Sequence, residues 1–463
     1  MKKYIFLILA LFTITLVSCD KFVKGYDVSP NSASDATLPL LLSATELGLE
    51  TSYTGNPVRE SSIFMQQIAG TDQQMLAIAE YALTETDNVN DWNNIYNVVV
   101  QTSNNIIQKA GTKNPYYVGI AEVLKAMGLG LATDTWGDVP ASEAGMGIIN
   151  GNLTPKFDTQ QNVIIYIQQL LSDALTQFAT TSSDNLIVPG SDDFMLQGDI
   201  SKWINVTKML QARYANRLSK KDPQGSATNA LNFLQGVADV GDLSAVYGAK
   251  TNEINQWYAF ESQRGGYITM GKFFVDYLKA NNDPRLPFYV AKNGDGLYVG
   301  SSVNTDSTAL TASTASYVGP FIAGETSPIP LVTYVEALFI KAEAYLRLNN
   351  LPAASAAYDS AVLASVKMVT GANAPASFVT NFASETAGTI TLQKIMMQKY
   401  LSSFINTEAW ADWRRTGYPV LRVNPAVTLG AIPRRLMTVQ SERTYNPNAI
   451  VVEDILKPVW WDE

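Results

Sequence analysis

Cys19 is the only cysteine in this chain of 463 residues. No disulfide can form within it, so no covalent cross-link holds its fold. Hydrophobic residues make up 46% of the chain, enough for a large core. No Pro/Gly/Ser-rich linker or block of like charge divides the sequence, which therefore reads as one large unit. Histidine is absent. That removes the usual acid/base near neutral pH and the commonest metal ligand, and with them Ser-His-Asp and Cys-His chemistry. Paired carboxylates, which are all that glycoside hydrolysis needs, are left. Binding without chemistry is the favoured reading, so the chain is not expected to be an enzyme. A carboxylate-pair glycoside hydrolase is the enzyme alternative.

The position of the cysteine is equally constraining. Lys2 and Lys3 precede an apolar run from Tyr4 to Val17, shorter than the roughly 20 residues of a membrane span, which ends in L-V-S-C at 16–19. A basic start, a short apolar core and a small residue before the cut mark a secretory signal peptide. L-V-S-C resembles a bacterial lipobox, in which the cysteine sulfur receives diacylglycerol and becomes the new N-terminus. The expectation is a signal peptide over residues 1–18, an acylated tether over 19–35 with Cys19 as the lipidation site, and a single ligand-binding domain over 36–463. An ordinary signal peptide followed by an incidental cysteine is the alternative. The net charge is -9, and loss of Lys2 and Lys3 makes it more negative. This argues against nucleic acid, which requires a basic patch. No later apolar run is long enough to span a bilayer, and the alternating strands of an outer-membrane barrel are missing.

Apolar residues at spacings of three and four predict helices over 36–50, 58–78, 91–106, 116–133, 159–179, 199–219 and 226–236. Residues 79–90 read as a loop, and Asp91 as the cap of the helix after it. Trp136-Gly137-Asp138 reads as a turn that closes a helix. The stretch from about 240 to 330 is rich in Gly, Ser, Thr, Asn and Tyr. It predicts loops with short strands such as Leu297–Val299 and a helix near 270–280, and a long irregular insertion of this kind is usually functional. Residues 331–368 predict two helices joined by an N-N-L-P turn. Ala342, Ala344, Ala356 and Ala357 are placed at their close approach, with Tyr345 and Tyr358 as the larger packing residues. Such a pair fits the roughly 34-residue tetratricopeptide period, with an ordinary helical hairpin as the alternative. The fold class expected is mainly α: a tetratricopeptide-like helical-pair scaffold with an irregular loop-rich region containing a few short β-strands.

The tail carries E-A-W-A-D-W-R-R-T-G-Y-P at Glu408–Pro419, I-P-R-R-L at Ile432–Leu436, Y-N-P-N at Tyr445–Asn448 and P-V-W-W-D at Pro458–Asp462. Upstream lie G-Y-D-V-S-P-N-S-A-S-D-A-T at 25–37, T-W-G-D-V-P at 135–140, K-W-I-N-V-T-K-M-L-Q-A-R-Y-A-N-R-L-S at 202–219, N-D-P-R-L at 282–286 and L-F-I-K-A-E-A-Y-L-R-L at 338–348. With the lipobox, and in this order, they resemble the SusD/RagB family of outer-membrane nutrient-binding lipoproteins over most of the chain. The resemblance implies a helical tetratricopeptide-like scaffold. It also implies capture of a nutrient, most often an oligosaccharide, at the cell surface. The partner it implies is a TonB-dependent SusC-like barrel transporter, and the location is the outer membrane, lipid-anchored and facing the exterior. RagB-like members imply a peptide ligand as the alternative.

Arg414 and Arg415 read as buried arginines pairing with Glu408, Asp412 or Glu442, with ligand contact as the competing reading. Trp203 and Arg213 read as scaffold, and Trp460 and Trp461 as core or interface. Sugar binding needs flat aromatic faces, with planar amides, carboxylates and arginine on loops held by a rigid scaffold. Three clusters qualify. The first joins Asn56, within Y-T-G-N at 53–56, to Asp72 and Gln74, within T-D-Q-Q at 71–74. The second is D-W-N-N at 91–94, where Trp92 is the leading candidate against a structural role; the family resemblance implies that an aromatic in this early region can contact glycan. The third is Trp257, Arg264, Tyr298 and Tyr317, with Tyr258 and Tyr267 beside them. N-G-D-G at 293–296 reads as a hairpin turn, since it lacks the acidic pattern of a calcium loop. No cofactor or metal is expected, a structural calcium elsewhere being left open. No phosphate-cradling glycine loop is present.

Overall fold

The computed structural model describes residues 36–302, 314–425, 427 and 429–463. The expected signal peptide, Cys19 and the 19–35 tether lie outside the described residues.

The chain is mainly α, as expected. Helix α1 (Leu38–Thr54) starts on Thr37, whose hydroxyl accepts the Leu40 N–H, with a proline in the first turn. The single helix expected over 58–78 is instead α2 (Asn56–Phe64), strand β1 (Ile68–Gly70) and α3 (Gln73–Ala79). Gln66 adopts φ +57, and the Asp72 carboxylate accepts the Gln73 N–H to open α3. Apolar spacing hid this break because Ile63, Ile68 and Met75 on either side of it are buried in one core. Next, α4 (Val89–Asn93) passes through a π-helical segment, Asn94–Val100, into α5 (Gln101–Ala110). Its N-cap is Asn88 and not Asp91, which sits in the first turn, where the helix dipole favours a carboxylate. The long α6 (Pro115–Trp136) ends at Gly137, φ +85, as the T-W-G-D turn predicts. Then come α7 (Gln160–Phe178), α8 (Ile200–Arg217) and α9 (Pro223–Phe233).

The loop-rich stretch holds β2 (Leu243–Ala245), α10 (Gln256–Gln263), β3 (Ile268–Met270) and α11 (Lys272–Ala280), and is closed by β4 (Ile329–Val332). β1 pairs antiparallel with β3, and β2 with β4. Helix α10 was not expected. Leu297–Val299 is not a strand; it makes only scattered bonds, such as Ser316 N–H to the Val299 carbonyl at 3.0 Å. The N-G-D-G turn is present: Asn293 N–H donates to the Leu297 carbonyl at 2.8 Å, and Gly296 takes φ +77.

α12 (Tyr334–Arg347) and α13 (Leu351–Thr370) form the predicted pair across Asn349 (φ +58) and the Asn350 N-cap. Ala342 and Ala344 are buried at the approach as expected. On α13 the facing stripe is Ala354, Tyr358, Ala361 and Val362, while Ala356 is exposed and Ala357 half-buried. Tyr358 packs in that stripe as expected, and its neighbours at helical spacing are Ala354 and Ala361 in place of Ala356 and Ala357. The chain ends with α14 (Ala376–Phe382), α15 (Leu392–Ser402), α16 (Glu408–Thr416), α17 (Gln440–Tyr445) and a 3-10 turn at Trp460–Asp462.

Five cations and five carboxylates are tied together where α6, α8, α12, α15 and α16 meet. Arg213 binds Glu336 at 2.6 Å, and Arg217 binds Asp134 at 2.9 Å and Glu408 at 2.7 Å. Arg415 grips Glu343 at 2.6 Å and Asp412 at 2.7 Å; Lys399 reaches Asp412 at 2.8 Å, and Arg347 also binds Glu343. Arg415 is thus a structural arginine, and Arg213 and the fully buried Trp203 belong to the scaffold. Arg414 meets no carboxylate among the described residues. It lies over the rings of Trp410 (3.8 Å) and Trp461 (4.6 Å) and donates to the Asp134 carbonyl at 2.7 Å. Glu408 goes to Arg217 rather than to Arg414 or Arg415, and Glu442 to Trp92.

Candidate functional site

The sequence candidates divide into a buried group and a surface group. Trp92 is 3% exposed, packs against Tyr96, Trp136 and Phe157, and donates its indole N–H to Glu442 at 3.1 Å. Trp257 is fully buried and donates to the Thr54 carbonyl at 2.9 Å. Neither offers a free face, and for Trp92 the structural alternative is the one this packing supports. Asn56 is half-buried and donates to Glu60 at 3.1 Å. Arg59, beside it, lies over the rings of Trp257 (5.4 Å) and Phe260 (4.4 Å). Burial pushes the Arg59 guanidinium down to about 10, and burial pushes the Asp91 carboxyl up to about 6 against the pull of Arg59.

Above these, Thr71 ties the first cluster to the third. Its N–H donates to the Tyr267 carbonyl at 2.9 Å and its hydroxyl to the Gly266 carbonyl at 2.7 Å. Asp72 and the exposed Gln74 follow Thr71 at this junction, and Arg264, exposed and lying over Phe260 at 5.3 Å, precedes Gly266 by two residues, so the three form one patch of chain around it. The Tyr317 hydroxyl lies over Gly265, 3.6 Å from where a side chain would begin. Tyr298 stands apart, its ring under Lys292 at 5.6 Å.

None of these residues lines the groove beside α11. Two cavities of about 680 and 730 Å³ share Phe273, Tyr277 and Val420 and form one groove. One half is walled by Tyr277, Phe382, Tyr418, Asn381, Gln393 and Gln398. The other half is bounded by Gln66, Ile68, Gly271, Ser301, Arg422 and Val423. Phe273 and Tyr277 lie four residues apart on α11, so both rings point the same way. Ile68 pairs with Met270 and Gly70 with Ile268. The groove therefore opens at one end of the β1–β3 ladder and the Asp72–Arg264 patch at the other.

The polar side chains of the groove are held from behind. Arg285 is fully buried in a two-pronged pair with Asp283 and donates to the Gln398 carboxamide oxygen at 2.8 Å. The N-D-P-R-L motif is thus a brace for the groove floor. Gln398 Nε2 makes no hydrogen bond among the described residues. Burial raises the Tyr277 phenol, which stays a neutral donor at physiological pH. The two carboxylates on the rim are each held by a lysine: Asp276 by Lys272 at 2.7 Å and Glu385 by Lys394 at 2.7 Å. The sequence signal for this groove was the i, i+4 aromatic pair on α11 together with Tyr418 in the quoted tail.

The family model described as "Starch-binding associating with outer membrane", SusD-like, matches residues 30–438. The chain belongs to this SusD-like family. Among solved structures it is similar to a SusD/RagB family protein from Bacteroides thetaiotaomicron at 23% identity, covering 92% of this chain and 99% of that one with a TM-score of 0.75. It is also similar to a chitin-binding protein at 25% identity, over 92% and 100% of the two chains, with a TM-score of 0.75. A chitin-binding SusD homologue from Flavobacterium johnsoniae matches at 22% identity over 92% and 98%, with a TM-score of 0.78. A search of curated proteins finds no match. The mainly α scaffold is that of the family, whose members are outer-membrane-associated binding proteins. Among the described residues, no helix is long and apolar enough to cross a membrane.

Proposed function

We propose that this chain is a lipid-anchored surface protein that holds an oligosaccharide in the Phe273–Tyr277 groove and hands it to a TonB-dependent SusC-like barrel transporter. The observation that carries the reading is the groove itself: aromatic walls beside amides fixed from below, the pairing that sugar C–H faces and hydroxyls require. The chitin-binding neighbours support a glycan as the ligand class. Among the described residues the rim's two carboxylates, Asp276 and Glu385, are each engaged by a lysine. Cys19 supplies the acyl anchor and residues 19–35 the strap, which leaves the body free to move over a transporter.

Affinity electrophoresis and calorimetry against starch, chitin, plant, host and microbial glycans test the ligand class. At least one glycan is expected to retard the protein and to be recovered unhydrolysed. Peptide binding with no glycan binding contradicts the reading and favours peptide capture.

A further inference from the structure

We propose that the groove selects glycans carrying an acidic group, a uronate carboxylate or a sulfate ester, and that Arg422 is the residue that reads it. This rests on the glycan reading above. Five charged side chains line the two halves of the groove. Four are neutralised in place: Lys272 with Asp276, and Lys394 with Glu385. Arg422 is the fifth. It is exposed, and no carboxylate lies within ion-pair distance of it among the described residues. Among the described residues the groove thus carries one uncompensated cation, on a chain whose net charge is -9.

That cation is mounted on a held backbone. Buried Gln66, in its left-handed conformation, donates its amide to the Arg422 carbonyl, and two residues on, Asn424 donates to the Ala79 carbonyl at 2.7 Å. Leu421 and Val423, which flank Arg422, pack against the core. A free guanidinium on a fixed base presents a planar fork matched to carboxylate or sulfate oxygens. Phe273 and Tyr277 line the same groove, so a sugar ring can stack while its acidic group reaches the fork. Asp276 and Lys272, the other charges on this half, leave no second free cation to do the same.

The test is affinity electrophoresis of wild type, Arg422→Gln and Arg422→Lys. The gels contain pectin or alginate (uronate), carrageenan (sulfate), or the neutral polymers starch, chitin and xylan. The proposal expects an acidic polymer to bind at least tenfold more tightly than any neutral one. Arg422→Gln should abolish that preference, Arg422→Lys should keep part of it, and 1 M salt should weaken it, where screening acts over about 3 Å. Circular dichroism should be unchanged, since among the described residues the Arg422 side chain has no ion pair to lose and its carbonyl keeps the bond from Gln66. Whether the preferred polymer is a uronate or a sulfate identifies the anion. Preference for a neutral polymer, or an acidic preference that survives Arg422→Gln, overturns the proposal while the glycan reading stands. No retardation by any polymer contradicts both.

Discussion

Glu60 shows how single residues set the pH response of this protein. It is 1% exposed, and burial, with the nearby Asp91 charge adding, lifts its carboxyl from 4.5 to about 8. Asn88 and Asn56 each donate to its Oε1 at 3.1 Å, while Oε2 has no partner among the described residues. The folded state therefore keeps a proton that the unfolded chain releases. A carboxyl raised in this way costs stability progressively as pH climbs from about 4.5 to about 8. Glu50, pushed up to about 8 by burial, acts in the same direction. Glu60→Gln holds the amide equivalent of the protonated form, so its melting temperature should fall less steeply than that of wild type between pH 5 and pH 8.5. At pH 8.5 it should be the more stable protein. Parallel melting curves would show that Glu60 is not protonated in the fold. Glu343 and Glu408 have the opposite sign. Burial alone would raise them, but Arg415 and Arg347 on one and Arg217 and Arg213 on the other hold both below the usual range. Their contribution is present above the ordinary carboxylate range and is lost in strong acid. Composition reveals none of this: the groups that set each carboxyl are brought to it by folding, Asn88 to Glu60 across 28 residues and Arg217 to Glu408 across 191.

At the scale of elements, the long helices were legible and the short ones were not. α6 to α9, α11 and the α12–α13 pair follow from spacing and punctuation, because each buries a continuous apolar stripe against a neighbour. The 58–78 segment failed for the same physical reason: a helix, a strand and a helix that share one core show the same apolar residues. α10 was hidden because only Trp257 and Phe260 of its eight residues are buried. The candidate site suffered most from burial. Trp92 and Trp257 have the composition of a sugar platform, but packing places both rings inside. Arg264 and Gln74 are exposed, at the other end of the β1–β3 ladder from the groove. The packing itself makes a sharp prediction where α6 meets α8. A Cβ on Gly130 would fall 1.8 Å from the Tyr214 hydroxyl. Tyr214 is 1% exposed and has little room to move. Gly130→Ala should destabilise the fold by about 1–3 kcal/mol, the usual cost of overpacking, read as a lower denaturation midpoint. An unchanged midpoint would mean that α6 and α8 pack less closely than described.

For the whole molecule, the buried ion-pair network and the groove are two sides of one arrangement. The network locks α6, α8, α12, α15 and α16 into a rigid scaffold. From that scaffold, α15 and the segment after α16 present Gln398, Tyr418 and Arg422 toward α11. The arginines and acids of the first tail motif sit in the network, while its last residues, Tyr418 and Pro419, line the groove. The central claim is that ligand sits in this groove and not on the Asp72–Arg264 patch. Calorimetry on Tyr277→Ala and Arg264→Ala, side by side with the best glycan from the panel, tests it most directly. Removing one stacking ring should cost about 1–3 kcal/mol of binding, by analogy with bases stacked on aromatic side chains. Tyr277→Ala should therefore bind at least about fivefold more weakly while keeping a native circular dichroism spectrum, with Arg264→Ala close to wild type. Full affinity in Tyr277→Ala together with a large loss in Arg264→Ala would contradict the account and move the site to the patch.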